Sequence, residues 1–154
     1  MYARQYDKAI EQLRKTIEMD QSFYYAHWWL GEAYEMKGSL PEAIAEYQKA
    51  RQLDDDPRML ALLGHVYAAS GKRNEASKML DQLKEIAKQR YVPAYSFAIV
   101  YAGLGEKDQA FQWLERSYQD RAFEMTSLKV DPLVDNLRSD PRFADLVRRV
   151  GLKP

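Results

Sequence analysis

His27, His65 and the run Asp54, Asp55, Asp56 are the residue types most able to do chemistry, and their spacing is the first test. The histidines stand 38 residues apart (27 to 65) with no clustered carboxylate, so no metal-ligand pattern forms. The three aspartates directly precede Pro57, which suits capping the positive end of a helix that starts there rather than acid–base work. No phosphate loop, nucleophile elbow or His-Glu zinc motif occurs, so no catalytic, cofactor-binding or metal-binding residue is assigned. The chain has no cysteine, which removes thiolate ligands, cysteine nucleophiles and disulfides, and fits a reducing compartment. What is left is recognition by aromatic side chains: Tyr25, Trp28 and Trp29 crowd one short stretch, YYAHWWLGEAY.

Charge narrows the partners. Lys plus Arg is 23 and Asp plus Glu is 23, so no broad basic field exists to attract nucleic acid or acidic lipid. The short run Arg148, Arg149 and Lys153 lies near the carboxyl end of the last helix, where the helix dipole favours cations. The opening MYARQYDKAIEQ lacks the apolar core of a signal peptide, and no stretch approaches the ~18 apolar residues of a membrane span. A cytoplasmic location is expected, although a longer parent could carry a targeting segment elsewhere. At 154 residues the chain fits one domain, able to bury roughly 68 to 70% of its unfolded surface.

The elements that position the aromatic residues are helices. Apolar residues recur three and four apart almost from end to end, and alternation of strand type is scarce. Turn signals at KGSLP, DDDP, SGKRN, RYVP and LGEKD cut this text into helices of about 12 to 16 residues. LGEAY at 30 to 34, LGHVY at 63 to 67 and FAIVY at 97 to 101 repeat after 33 and then 34 residues, the period of a helix-turn-helix solenoid. Ala9, Ala43, Ala76 and Ala110 each precede a large residue by four, namely Leu13, Tyr47, Leu80 and Leu114, which lets helices approach and then fills the gap. Gly38, Gly71 and Gly105 follow the repeated tyrosine by four, where positive φ would end the first helix of each pair.

On these residues the chain resembles the tetratricopeptide repeat family, whose unit runs W, two residues, LG, two residues, Y, then A, three residues, F or Y, then P. Leu30, Gly31, Tyr34, Gly38, Ala43, Tyr47 and Ala50 fill the family's slots in one unit, and Leu63, Gly64, Tyr67, Gly71, Ala76 and Leu80 in the next. Phe97, Ala98, Tyr101, Gly105, Ala110 and Leu114 keep the phase more loosely. The resemblance implies an all-α fold, a right-handed α-solenoid of antiparallel helix pairs with a short helical cap. It divides one domain, 1–154, into a half repeat (1–22), repeats at 23–56, 57–90 and 91–121, and a capping segment (122–154). The half repeat lacks a first helix, so the sequence is expected to begin inside a repeat of a longer protein. The tail is similar to tails that follow such arrays in bacterial multidomain regulators. It has two DP pairs, each able to start a short helix, and Leu133, Val134, Leu137, Phe143, Leu146, Val147 and Val150 form an apolar stripe to close the last repeat. Trp113 is expected to receive it; the alternative is that the tail acts as a separate, peptide-like partner segment.

The repeat frame puts His27, not either tryptophan, in the family's core slot. At about 100° per residue, Tyr25, Trp28, Trp29, Glu32 and Met36 fall on the opposite half of the wheel, which in this family lines the concave side. The matching residues are Arg58, Ala61, Leu62, His65, Ala68 and Ala69, then Val92, Tyr95, Ser96, Ile99, Ala102 and Gly103. A groove aromatic at its amino end, apolar along its middle and lightly charged is expected. Only Arg58 could join the cationic clamp by which some family members hold a carboxylate, and one cation cannot make it. The partner expected is a peptide or helix with bulky apolar side chains, held by Tyr25, Trp28, Trp29, Glu32, Arg58, Leu62, His65, Tyr95 and Ile99. Trp28 is the better groove candidate, Trp29 could tuck between units, and both could instead pack on a neighbouring helix. His65 could contact a ligand or be solvated. The alternative functions are self-association, through a homodimer contact at Tyr2, Tyr6, Ile10, Leu13 and Ile17 of the half repeat, and, behind it, a small-molecule binder or enzyme using a pocket in the groove.

Overall fold

The computed structural model describes residues 2–151, with side chains from residue 4 onward, and its regular structure is all helical. A lone α1 (Tyr2–Met19) leads into three helix pairs: α2 (Tyr24–Lys37) with α3 (Leu40–Leu53), α4 (Pro57–Ala69) with α5 (Arg73–Ala87), and α6 (Ala94–Gly103) with α7 (Lys107–Gln119). Each pair packs on itself, α1 packs on α2, α3 on α4, and α4 lies beside α6, which is the connectivity of an α-solenoid.

The repeated residues make the repeated geometry. After each first helix the chain turns through a glycine at positive φ, Gly38 at 85°, Gly71 at 77° and Gly105 at 75°. The same closing bond recurs, from Ser39, Lys72 and Glu106 amides to the carbonyls of Tyr34, Tyr67 and Tyr101. Asp56 accepts from the Arg58 amide at 2.9 Å and so caps α4. Ala43, Ala76 and Ala110 are fully buried between helices. At Gly31 a Cβ would stand 2.6 Å from the Tyr47 ring, so this glycine lets α2 meet α3.

Ala9, in register with those three alanines, is exposed, since α1 has no paired first helix among the described residues. The expected uncovered surface of α1 is nevertheless smaller than its sequence implies. Ile10 is buried, and Leu13 and Ile17 are half-buried against the core, because α2 packs along α1. The Tyr2 side chain and Lys153 lie outside the described residues.

The tail folds as two 3-10 segments, Phe123–Ser127 and Pro132–Leu137, followed by α8 (Pro141–Val150). Each DP pair starts an element, with Asp131 and Asp140 accepting from the Leu133 and Arg142 amides. Val134, Leu137, Phe143, Leu146 and Val147 are buried, and Leu133 and Val150 are half-buried. The stripe is split between two surfaces: the second 3-10 segment lies on α6 and α8 lies on α7. Arg142 binds Asp108 at 2.9 Å and Arg149 grips Glu115 with two 2.6 Å bonds, both pairs spanning 34 residues. The tail thus stands one repeat period beyond α6 and α7, although its residues depart from the repeat pattern. Arg148 is bound by Asp145 of its own helix, whereas Arg149 bridges Asp145 and Glu115 of α7. Trp113 stacks on Phe97 within its own pair, at 4.2 Å, while α8 meets Phe111 and Tyr118 through Arg142 and Arg149.

Candidate partner-binding groove

The first turns of α2 present a cluster of rings. Tyr25 stacks between Trp28 (5.9 Å, 18°) and Trp29 (5.7 Å, 30°), and Phe23 sets its edge on Trp29. Trp29 is 47% exposed, so it does not tuck between units, whereas Trp28 is half-buried and faces inward. The Trp28 indole donates to Glu32 at 2.8 Å, and the Arg58 guanidinium sits 4.7 Å from its ring centre. Arg58 is in turn held by the Asp56 carboxylate, at 2.7 Å for the shortest bond. Phe23 was missed by the repeat frame because it precedes the helix, where a wheel projection assigns no face.

The carboxyl half of the groove is occupied by the chain's own tail. Tyr95 donates to Asp131, His65 Nε2 to the Leu133 carbonyl at 3.1 Å, and Asn136 to the Ala102 carbonyl at 2.6 Å. Tyr95, Leu62 and Ile99 are consequently no more than 7% exposed. They line a cavity but do not form the open apolar floor expected of them. Burial first, then the Asp131 charge, holds the Tyr95 hydroxyl far above its ordinary range, so it remains a donor.

His65 is neither solvated nor free for a ligand. Its Nδ1 lies 2.5 Å from Glu35, a buried carboxylate that also accepts from the Tyr47 hydroxyl at 2.8 Å. The Leu133 carbonyl can only accept, so His65 Nε2 carries a proton and the ring links α2, α4 and the tail. His27 is buried in the core slot, with Glu46 at 2.7 Å and the Gln21 carbonyl at 3.1 Å. Glu35 itself was not legible: an acid beside the repeated tyrosine reads as solvated surface until Tyr47 and His65 are seen to meet it.

Because the 3-10 segments cover less than a full helix would, a cavity of about 240 Å³ remains between Trp28, Arg58, Tyr95 and the tail. A second, of about 300 Å³, adjoins it along Met36, Val130 and Pro132. Both share Glu32, Ser127, Asp131 and Leu133. Burial, and secondarily Asp131 and Glu35, push the Glu32 carboxyl above the usual carboxylate range, against the lowering by its Trp28 bond. The groove is therefore acidic at its waist rather than lightly charged. A larger depression of about 700 Å³ lies elsewhere, between Lys129, Arg138 and α8. No cluster of three His, Cys, Asp or Glu able to hold a metal occurs among the described residues.

Models of the tetratricopeptide repeat match residues 1–57 and 57–90. The chain belongs to the tetratricopeptide repeat family. Tetratricopeptide arrays are typically non-catalytic scaffolds for protein–protein interaction, and they bind proteins or peptides. Lipopolysaccharide assembly protein B of Escherichia coli strain K12 is 26% identical over 121 residues, and the same protein of strain O157:H7 matches equally. That alignment covers 75% of this tetratricopeptide chain and only 31% of the relative. The crystal structure of MamA superposes with a TM-score of 0.53 at 18% identity, covering 95% of this chain and 85% of MamA, a likeness of fold. No helix among the described residues is long and apolar enough to cross a membrane.

Proposed function

We propose that this tetratricopeptide array is a non-catalytic scaffold that captures a peptide or helix of a partner, or of its own parent chain, in the amino-terminal half of its concave groove. The observation that carries this reading is Trp28, an inward-facing indole with Arg58 on its ring, lining a cavity that remains between the helices and the tail. Tyr25 and Trp29 extend that aromatic surface outward, and such rings supply large contact area at small cost in side-chain entropy. Residues 1–22 as half repeat, three repeats ending near 121 and a capping tail are the division that supports it. A cytoplasmic setting is supported by the cysteine-free composition. Random peptides displayed on phage and selected on the whole chain test it: selected peptides should lose about tenfold or more in affinity on Trp28→Ala, with helicity unchanged and the variant still folded at the assay temperature. Peptides indifferent to that substitution, or loss of fold in its place, contradict it.

A second reading is self-association through the amino-terminal end, which the exposure of Ala9, Phe23 and Trp29 favours. Light scattering across a concentration series decides it, and a strict monomer ends it.

A further inference from the structure

The two adjoining cavities form one channel whose ends are apolar and whose waist is acidic. At one end stand Trp28 and Ile99, at the other Met36, Val130 and Pro132. Glu32 of α2 and Asp131 of the tail line both cavities, and Glu124 closes the first. The neighbouring cations are already engaged. Arg58 is held by three side-chain bonds to Asp56, and Arg138 pairs with Asp135 at 2.7 Å while donating to the Asp131 carbonyl, not its carboxylate. Lys129, next to Val130 in sequence, lines the depression on the α8 side. Three carboxylates thus face the channel, and Asp131 satisfies part of its charge through the Tyr95 hydroxyl and the Leu133 amide. A half-buried carboxylate is costly when the cations beside it are engaged by other acids, and a ligand that brings its own cation lowers that cost.

We infer that the partner segment carries a lysine or arginine flanked by apolar side chains, its cation lying between Glu32 and Asp131 and its neighbours filling the Trp28 and Met36 ends. This rests on the groove reading above and names the chemistry of its occupant. Charge complementarity selects this occupant over an acidic or wholly apolar segment, since either would desolvate the three carboxylates further and bring no counter-charge.

The test uses peptides from the phage selection, measured by calorimetry against the whole chain. Peptides should contain a basic residue next to apolar ones. Replacing that residue with citrulline, which keeps arginine's shape without its charge, or with glutamine for lysine, should weaken binding about tenfold, the size of one charge-assisted bond. On the Glu32→Gln protein the same replacement should cost much less, because its counter-charge is gone. Glu124→Gln, at the rim, serves as the second variant if Glu32→Gln fails to fold. Peptides that need Trp28 but carry no basic residue, or that ignore its replacement, overturn the inference and leave the groove reading standing. Peptides that ignore Trp28 overturn both.

Discussion

The Tyr95 hydroxyl of α6 donates to the carboxylate of Asp131, and through this bond the chain's own tail is fastened across the groove that α2, α4 and α6 form. Asp131 also caps the 3-10 segment that covers α6, so one side chain starts the segment and anchors it. Tyr95→Phe removes the donor and leaves Asp131 short of a partner. A loss of about 1.5 to 3 kcal/mol in unfolding free energy is expected, with faster amide exchange confined first to residues 131–137. Denaturant titration and hydrogen exchange measure both.

Cap attachment should depend on burial more than on ion pairs. Leu146 is 1% exposed against the array, and Leu146→Ala should cost about 2 to 4 kcal/mol. Arg149 is a partly exposed cation, and Arg149→Ala should cost no more than about 1 kcal/mol, less in high salt. Chemical denaturation of the two variants at low and high salt compares them.

Two backbone sites give opposite signs. Arg121 closes α7 at φ 53°, where the three earlier first helices turn through glycine. Arg121→Gly should therefore raise stability by about 1 kcal/mol. Gly31→Ala should lower it by about 1 to 3 kcal/mol, because the new methyl overlaps the Tyr47 ring. Thermal melts of both report the signs.

Glu32 supplies a pH signature. Its carboxyl holds a proton to higher pH in the folded chain than in the unfolded one, so its ionisation opposes folding as pH rises above about 4. Glu32→Gln, which can still accept from Trp28, should be more stable than the parent chain at pH 7, and the difference should shrink toward pH 4. Unfolding curves across that range give the sign. Asp140, by contrast, is pulled down to about 2 by Arg142, so the α8 cap bond should survive acidification through pH 3 and fail only as pH falls through about 2.

The repeat frame was legible because each of its slots has a local cause: a small residue where helices touch, a glycine where φ is positive, an aspartate before a proline. Ala43, Gly38 and Asp56 show these in turn. The tail's route was not, because it follows from contacts between residues far apart. Nothing near Tyr95 or Leu133 in sequence announces Asp131 or His65, and a wheel drawn for α6 cannot know that another segment covers it. The same gap hid the acidity of the groove, since two of its three carboxylates arrive from residues 124 and 131.

Partners are expected to enter beside Trp28, at the amino end of the groove. The chain has three tryptophans, so its three indole N–H resonances can be followed separately by NMR during titration with a selected peptide. The Trp28 resonance, whose bond to Glu32 lies in the channel, should move to saturation with the binding curve while that of Trp113, stacked on Phe97, stays still. A saturating peptide that shifts Trp113 and leaves Trp28 in place would contradict the claim.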